Sequence, residues 1–284
     1  GIDVGGTFTD AIALDNSTYE IIGFKKIPTT HSAPEGITRG VIDVLYGLLD
    51  DIKVSPDCIV FIAHGTTQAT NALLEGDVAN VGIIGMANGL GMIKAKKDTQ
   101  IGTIILNEDK KIETKYAFIN TKNGVDKNQI EDAVNSFLND GLTVAVCSEA
   151  FSVDDPKNEI EASNIANEMG MIATSSHEIS KLYGLRARTK TAVINASILP
   201  KMMQTANMTS NAVKNAQIQA PLMIMRSDGG VMQVDEMKKR PILTVLSGPA
   251  AGMAGALMYE KISDGIFLEV GGTSTDISAI QNGK

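Results

Sequence analysis

The sequence has little cysteine, little histidine and no long run of one residue class, and each shortage argues against a kind of protein. Two cysteines and three histidines in 284 residues, without CxxC spacing or a histidine cluster, argue against a zinc site or a disulfide framework. Cys58 and Cys147 each stand in an apolar, strand-like run, Cys58-Ile59-Val60-Phe61-Ile62-Ala63 and Val144-Ala145-Val146-Cys147, and read as buried hydrophobes in a reducing compartment. No apolar stretch approaches the ~20 residues of a membrane helix, and no signal-peptide pattern opens the chain. Formal net charge is −8 with no long basic run, which argues against a nucleic-acid or anionic-membrane surface. With 43% apolar residues the chain reads as a soluble, cytoplasmic protein of one large or two ordinary domains.

What is present is one stretch and its echo. Asp3-Val4-Gly5-Gly6-Thr7-Phe8-Thr9-Asp10 near the start is matched by Glu269-Val270-Gly271-Gly272-Thr273-Ser274-Thr275-Asp276 near the end. Apolar residues flank each copy, so each predicts strand, tight turn, strand. Glycine reaches positive φ and lets a ligand approach the main chain, so a Gly-Gly turn can direct N–H groups at an anion. Hydroxyls add donors, and the carboxylate before each turn can hold a divalent cation or its water. A single such turn is usually only a connection. Two copies in matching context suggest two lobes that offer phosphate clips to one ligand, with pyrophosphate the natural fit.

Between them, the pattern predicts a strand over residues 20–27, a helix opening at Pro34, and a strand over 59–63. His64-Gly65-Thr66-Thr67 then reads as a polar strand end, with Gly65 opening a helix that Thr66 or Thr67 caps. From spacing alone, a threonine cap and a strand-end histidine are the plainer reading. Further on come a strand over 81–86, a loop or short helix over 85–97, and a hairpin over 103–120 around Asn107 to Lys110. A helix follows, capped by Asp126 with Gln129 as its box partner and ended by Gly141. Strand 142–147, a helix from Asp155-Pro156 to Gly170 and strand 171–174 make a β-α-β unit, with the serines near residue 148 read as satisfying turns. A linker with His177 and Glu178 leads to one long helix over 189–215, bent at Pro200. Strand 222–225 and an Arg226-Ser227-Asp228-Gly229-Gly230 turn precede a helix starting at Ser247-Gly248-Pro249.

Four motifs in order resemble the hydantoinase A, 5-oxoprolinase and acetone carboxylase β family, within the actin, sugar-kinase and heat-shock-chaperone ATPase superfamily. They are Gly1-Ile2-Asp3-Val4-Gly5-Gly6-Thr7-Phe8-Thr9-Asp10, His64-Gly65-Thr66-Thr67-Gln68-Ala69-Thr70-Asn71-Ala72-Leu73-Leu74-Glu75, Ser247-Gly248-Pro249-Ala250-Ala251-Gly252 and Gly271-Gly272-Thr273-Ser274-Thr275-Asp276. The resemblance covers nearly the whole chain. It implies an α/β, mixed-sheet, two-lobed actin-like (ribonuclease H-like) fold, with a first lobe over 1–180 and a connecting helix and second lobe begun over 181–284. Little precedes Asp3 and the chain stops soon after the second clip, so a longer protein is expected.

The resemblance also implies ATP and Mg²⁺ as cofactors. Gly5, Gly6, Thr7 and Thr9 would hold phosphates from one side, and Gly271, Gly272, Thr273, Ser274 and Thr275 from the other. Asp3 and Glu269 would hold the metal, although the family usually carries aspartate at the second position. Asp3, Asp10, His64 and Asp276 become catalytic candidates, and Thr66, Thr67, Asn71 and Ser247 substrate-facing ones. The implied activity is ATP-dependent opening of a cyclic amide, usually with a hydantoinase B-type subunit in a homo- or hetero-oligomer. The alternatives are the ATP-using subunit of a ketone carboxylase and a nucleotide-driven regulatory module.

Overall fold

The computed structural model describes residues 1–5, 7–30, 37–270 and 275–283. The opening stretch folds as expected into β1 (Ile2–Val4) and β2 (Phe8–Leu14), followed by β3 (Ile21–Pro28). Helix α1 (Ile37–Ile52) buries Val41, Val44, Leu45, Leu48 and Leu49, the apolar stripe of its sequence; its expected start at Pro34 lies outside the described residues. Then come β4 (Ile62–Thr66) and α2 (Gln68–Glu75).

The next stretch holds β5 (Val81–Ala87), α3 (Met92–Thr99), β6 (Ile104–Ile105), β7 (Lys111–Ile112), β8 (Thr114–Asn120), α4 (Lys127–Asn139), β9 (Val144–Glu149), α5 (Lys157–Glu168), β10 (Ile172–Ser175), α6 (Ser176–Ile179) and α7 (Leu185–Asn215). The chain continues through β11 (Leu222–Met225), β12 (Val231–Gln233), α8 (Val234–Met237), α9 (Ser247–Glu260), β13 (Gly265–Val270) and β14 (Thr275–Ile280).

Two compact units result, Gly1–Thr70 with Met202–Lys284, and Asn71–Lys201. They follow contacts and so differ from the division after residue 180, which follows motifs. In the first unit one sheet has the order β12-β11-β4-β1-β2-β3. Strands β1, β2 and β3 are antiparallel, while β4 runs parallel to both β1 and β11. This is the expected mixed α/β sheet. Ile2, Val4 and Ile62 pack on one face with Val41, Leu45, Leu49, Ala212 and Val213. The hairpin β13–β14 forms a separate two-stranded sheet.

The second unit is a parallel sheet, β10-β9-β5-β8. Every residue of β5 is buried, as a central strand covered on both faces requires. The expected hairpin over 103–120 is corrected here. Only β6 and β7 pair antiparallel, and β8 instead joins β5 in parallel, where its apolar residues gain a covered face. Asp126 caps α4 through the amides of Asn128 and Gln129; the Gln129 side-chain amide donates to the Asp126 carboxylate instead of accepting from the Asp126 main-chain N–H. Pro200 lies inside α7. Cys147 is buried, but Cys58 is exposed, because residues 56–58 form a 3₁₀ turn before the strand begins. Among the described residues no helix is long and apolar enough to cross a membrane.

Candidate functional site

Strand register brings the first unit's polar residues into a row. Asp3 on β1 stands opposite Asp10 on β2, Asp10 opposite Lys26 on β3, and Asp3 beside Gly65 on β4. Because side chains alternate across a strand, these positions share one face of the sheet. The closing hairpin repeats the arrangement, with Glu269 on β13 opposite Asp276 on β14. Asp3, Asp10 and Glu269 line a single recess of about 470 Å³, together with Phe24, Met225, Gly252 and Phe267.

The recess is mostly apolar, and this sets its electrostatics. Desolvation, and then the charge of Asp10, raises the Asp3 carboxyl above the usual range, with Lys26 opposing in part. The Glu269 carboxyl is raised by desolvation and by the charges of Asp3 and Asp276. Lys26 Nζ lies 3.3 Å from Asp10 Oδ1 and donates a hydrogen bond to Asp10 Oδ2 at 3.5 Å.

Two glycines make room for the carboxylates. A β-carbon on Gly65 would stand 2.8 Å from Asp3 Oδ1, and one on Gly252 would stand 3.2 Å from Glu269 Oε2 and 2.7 Å from the Phe267 ring. The Glu269 carboxylate therefore lies close to the bare backbone of α9. The sequence contained both glycines within its motifs, but nothing in their spacing revealed which side chain each one admits.

The first turn is braced by a residue the sequence reading passed over. Gly5 N donates to Phe8 O at 3.0 Å, which closes the hairpin. The Thr29 hydroxyl donates to Gly5 O at 2.9 Å, and the Thr29 amide donates to Thr7 O at 2.9 Å. Thr9, expected to hold phosphate, is fully buried with its hydroxyl 3.2 Å from that of Thr29, so it supports the turn from behind. Thr7 and Thr275 are exposed. Gly6, Gly271, Gly272, Thr273 and Ser274 lie outside the described residues.

The second motif is placed differently from its expectation. Strand β4 continues through Thr66, since pairing with β1 extends as Ile2 to His64, Asp3 to Gly65 and Val4 to Thr66. His64 is thus a strand residue, 1% exposed, on the face it shares with Ile62, while Ala63 and Gly65 line the recess. The structure does not bring His64 to the carboxylates. Neither ring nitrogen makes a hydrogen bond of normal geometry. Burial lowers its pKa to about 4, with the main chain of Ile2 offsetting part of that shift.

Thr66 is buried and its hydroxyl accepts from Gln68 N at 3.2 Å, so the helix opens after Thr67 and not at Gly65. The Thr67 hydroxyl donates to Val4 O at 3.5 Å, and the buried Ser247 hydroxyl, at the start of α9, donates to Thr66 O at 3.3 Å. Asn71 falls in the second unit, half-buried on α2.

The second unit has its own buried polar cluster. The Glu159 carboxylate accepts from the amides of Glu149 and His177, from the hydroxyls of Ser152 and Ser176, and contacts His177 Nδ1 at 2.8 Å. Burial alone would raise its pKa, but these bonds outweigh burial and lower it. Ser148 pairs with Thr189 and Ser176, so the strand-end serines are structural, as expected.

The first unit thus presents a mixed sheet with two carboxylate-bearing hairpins around one recess. The sequence pattern of the Hydantoinase/oxoprolinase N-terminal region matches residues 1–170, and that of Hydantoinase/oxoprolinase matches residues 188–284. The chain belongs to the hydantoinase/oxoprolinase family. It is 25% identical to caprolactamase subunit alpha of Pseudomonas jessenii, covering 100% of this chain and 43% of that protein. It is 25% identical to 5-oxoprolinase 1 of Arabidopsis thaliana, covering 98% of this chain and 25% of that protein. A nucleotide-free structure of acetone carboxylase, from work on ATP-dependent acetone carboxylation, shares the fold. Its TM-score is 0.76 at 19% identity, covering 100% of this chain and 44% of that one. The chain spans less than half the length of these relatives.

Proposed function

We propose that the protein is the ATP-using subunit of an amidohydrolase that activates a cyclic amide carbonyl by phosphorylation before water opens the ring. The observation that carries this reading is the convergence of Asp3, Asp10 and Glu269, from opposite ends of the sequence, on one recess. An amide carbonyl is a poor electrophile, and transfer of a phosphoryl group turns its oxygen into a stable leaving anion. Phosphoryl transfer asks the protein mainly for position and charge neutralisation.

In this reading Gly6 and Thr7 offer main-chain donors to phosphate, Gly5, whose amide closes the hairpin on Phe8, lets it approach, and Thr9 and Thr29 keep the turn in shape. Residues 271–275 close on the same phosphates. Asp3 and Glu269 hold Mg²⁺. Among the described residues no group of three or more such ligands forms. Two carboxylates nevertheless fit an ion that takes one or two of them beside phosphate oxygens and water. Bound there, the metal neutralises phosphate charge. Asp10, which lines the recess, and Asp276, opposite Glu269 in register, orient water. The lobes are taken over 1–180 and 181–284. The relatives named as subunits support a partner chain, taken here to be of hydantoinase B type.

Phosphate release by the purified protein with ATP and Mg²⁺ tests the reading. Stimulation by hydantoin, 5-oxoproline or a lactam is expected. Stimulation by a ketone with bicarbonate would instead indicate a carboxylase subunit, and stimulation by polypeptide alone would remove the amidohydrolase reading. Gly6→Val should abolish ATP binding by calorimetry, because a side chain would fill the phosphate seat.

A further inference from the structure

We propose that Lys26 is a positioning residue that fixes an anionic phosphate chain at the first hairpin. The assignment rests on the reading that this hairpin holds phosphate. Lys26 ends the row that begins at Gly65 and runs through Asp3 and Asp10. Its ammonium sits 3.3 Å from Asp10 Oδ1 and 4.7 Å from the centre of the Phe8 ring, the residue that closes the Gly5 turn. The two contacts hold the charge beside the turn at little further entropic cost.

The need for a cation follows from the row itself. Asp3, Asp10 and Glu269 present negative charge to the recess, and a polyphosphate approaching them is repelled. Among the described residues, Lys26 is the cation whose charge acts on Asp3. Its neighbour Lys25 pairs with Asp51 instead, 2.7 Å away. The Lys26 side chain stays 48% exposed, and an ammonium has three donors, so a donor remains for a phosphate oxygen after Asp10 is served. Strand position explains why the sequence concealed this: Lys25 and Lys26 look alike there, but alternation sends only Lys26 to the carboxylate face.

Calorimetry on the purified protein with ATP, ADP, pyrophosphate and adenosine tests the assignment, comparing the native protein with Lys26→Met, Lys26→Gln and Lys26→Arg. Neutral variants should bind ATP and pyrophosphate roughly tenfold or more weakly, the scale of one lost hydrogen bond to a charged group. Adenosine binding should not change, Lys26→Arg should restore most of the affinity, and the salt dependence of ATP binding should flatten. In phosphate release, KM for ATP should rise more than kcat falls. A native protein that ignores both ATP and pyrophosphate would overturn the hairpin reading. A native protein that binds them while both neutral variants, folded by circular dichroism, bind equally well would overturn the role of Lys26 alone.

Discussion

Gly65 lies beside Asp3 in parallel register, and a β-carbon at Gly65 would stand 2.8 Å from the Asp3 carboxylate oxygen. Gly65→Ala should therefore displace a functional group without disturbing the core, because the atom it meets is the mobile end of a side chain. We expect ATP-dependent phosphate release to fall roughly tenfold to a hundredfold, as for an ångström-scale misplacement, with thermal stability little changed. Adding Asp3→Ala to Gly65→Ala should cost less than the sum of the two single changes. Full additivity in activity would show that Gly65 acts elsewhere.

His64 makes stability depend on pH. Its pKa is about 4 in the folded chain and about 6.5 when unfolded, so the unfolded state takes up a proton first as pH falls. Its effect on stability is nil above pH 6.5, grows as a loss between pH 6.5 and 4, and is constant below. Integrated over that window the loss is about 3 kcal/mol. Urea unfolding at pH 7, 5.5 and 4.5 should show it, and His64→Leu should flatten that part of the profile. An unchanged slope in the variant would assign the loss to other groups.

The two thiols should differ in reactivity. Cys147 is fully buried, and burial pushes its thiol up to about 12, with the Glu159 charge adding to the shift and a hydrogen bond to Ser163 opposing it. Cys58 is exposed. Iodoacetamide should add one group to the folded protein, at Cys58, and a second only in denaturant, as read by mass spectrometry. Two rapid adducts under native conditions would contradict the burial of β9.

Glu159→Gln should destabilise the second unit. The carboxylate satisfies two amides, two hydroxyls and a histidine, and it faces the charge of the fully buried Arg188. A neutral amide places a donor where two amides and two hydroxyls need an acceptor, at a cost of about 1–3 kcal/mol. The denaturation midpoint should fall, and protease cleavage should rise within 71–201. A variant as stable as the native chain would show that the cluster's neutral hydrogen bonds suffice.

Much of the fold was legible because local rules coincide with it. The Asp3 and Glu269 hairpins, the stripe from Val41 to Leu49, and the Asp126 cap depend on residues close in sequence. Errors came where pairing partners are distant. Residues 64–66 look like a polar strand end until β1 provides a parallel neighbour, and β8 looks like half a hairpin until β5 offers a covered edge. His64 was a candidate by motif, and alternation along β4 turns it from the recess. Thr29 and Lys26 carried no local signal at all, and Gly252 stood in a motif whose spacing did not show which side chain it admits.

The sequence by itself determined the repeated carboxylate hairpins, the family and the α/β class, since turn chemistry and apolar period are local properties. Only the tertiary structure decided which groups meet. Register across β4, β1, β2 and β3 selects Asp3, Asp10 and Lys26 for one face and sends His64 to the other. The packing of α9 against β13 gives Glu269 its place. A shift of one residue in any strand reverses its faces, and hydrophobic burial on the opposite side fixes that register.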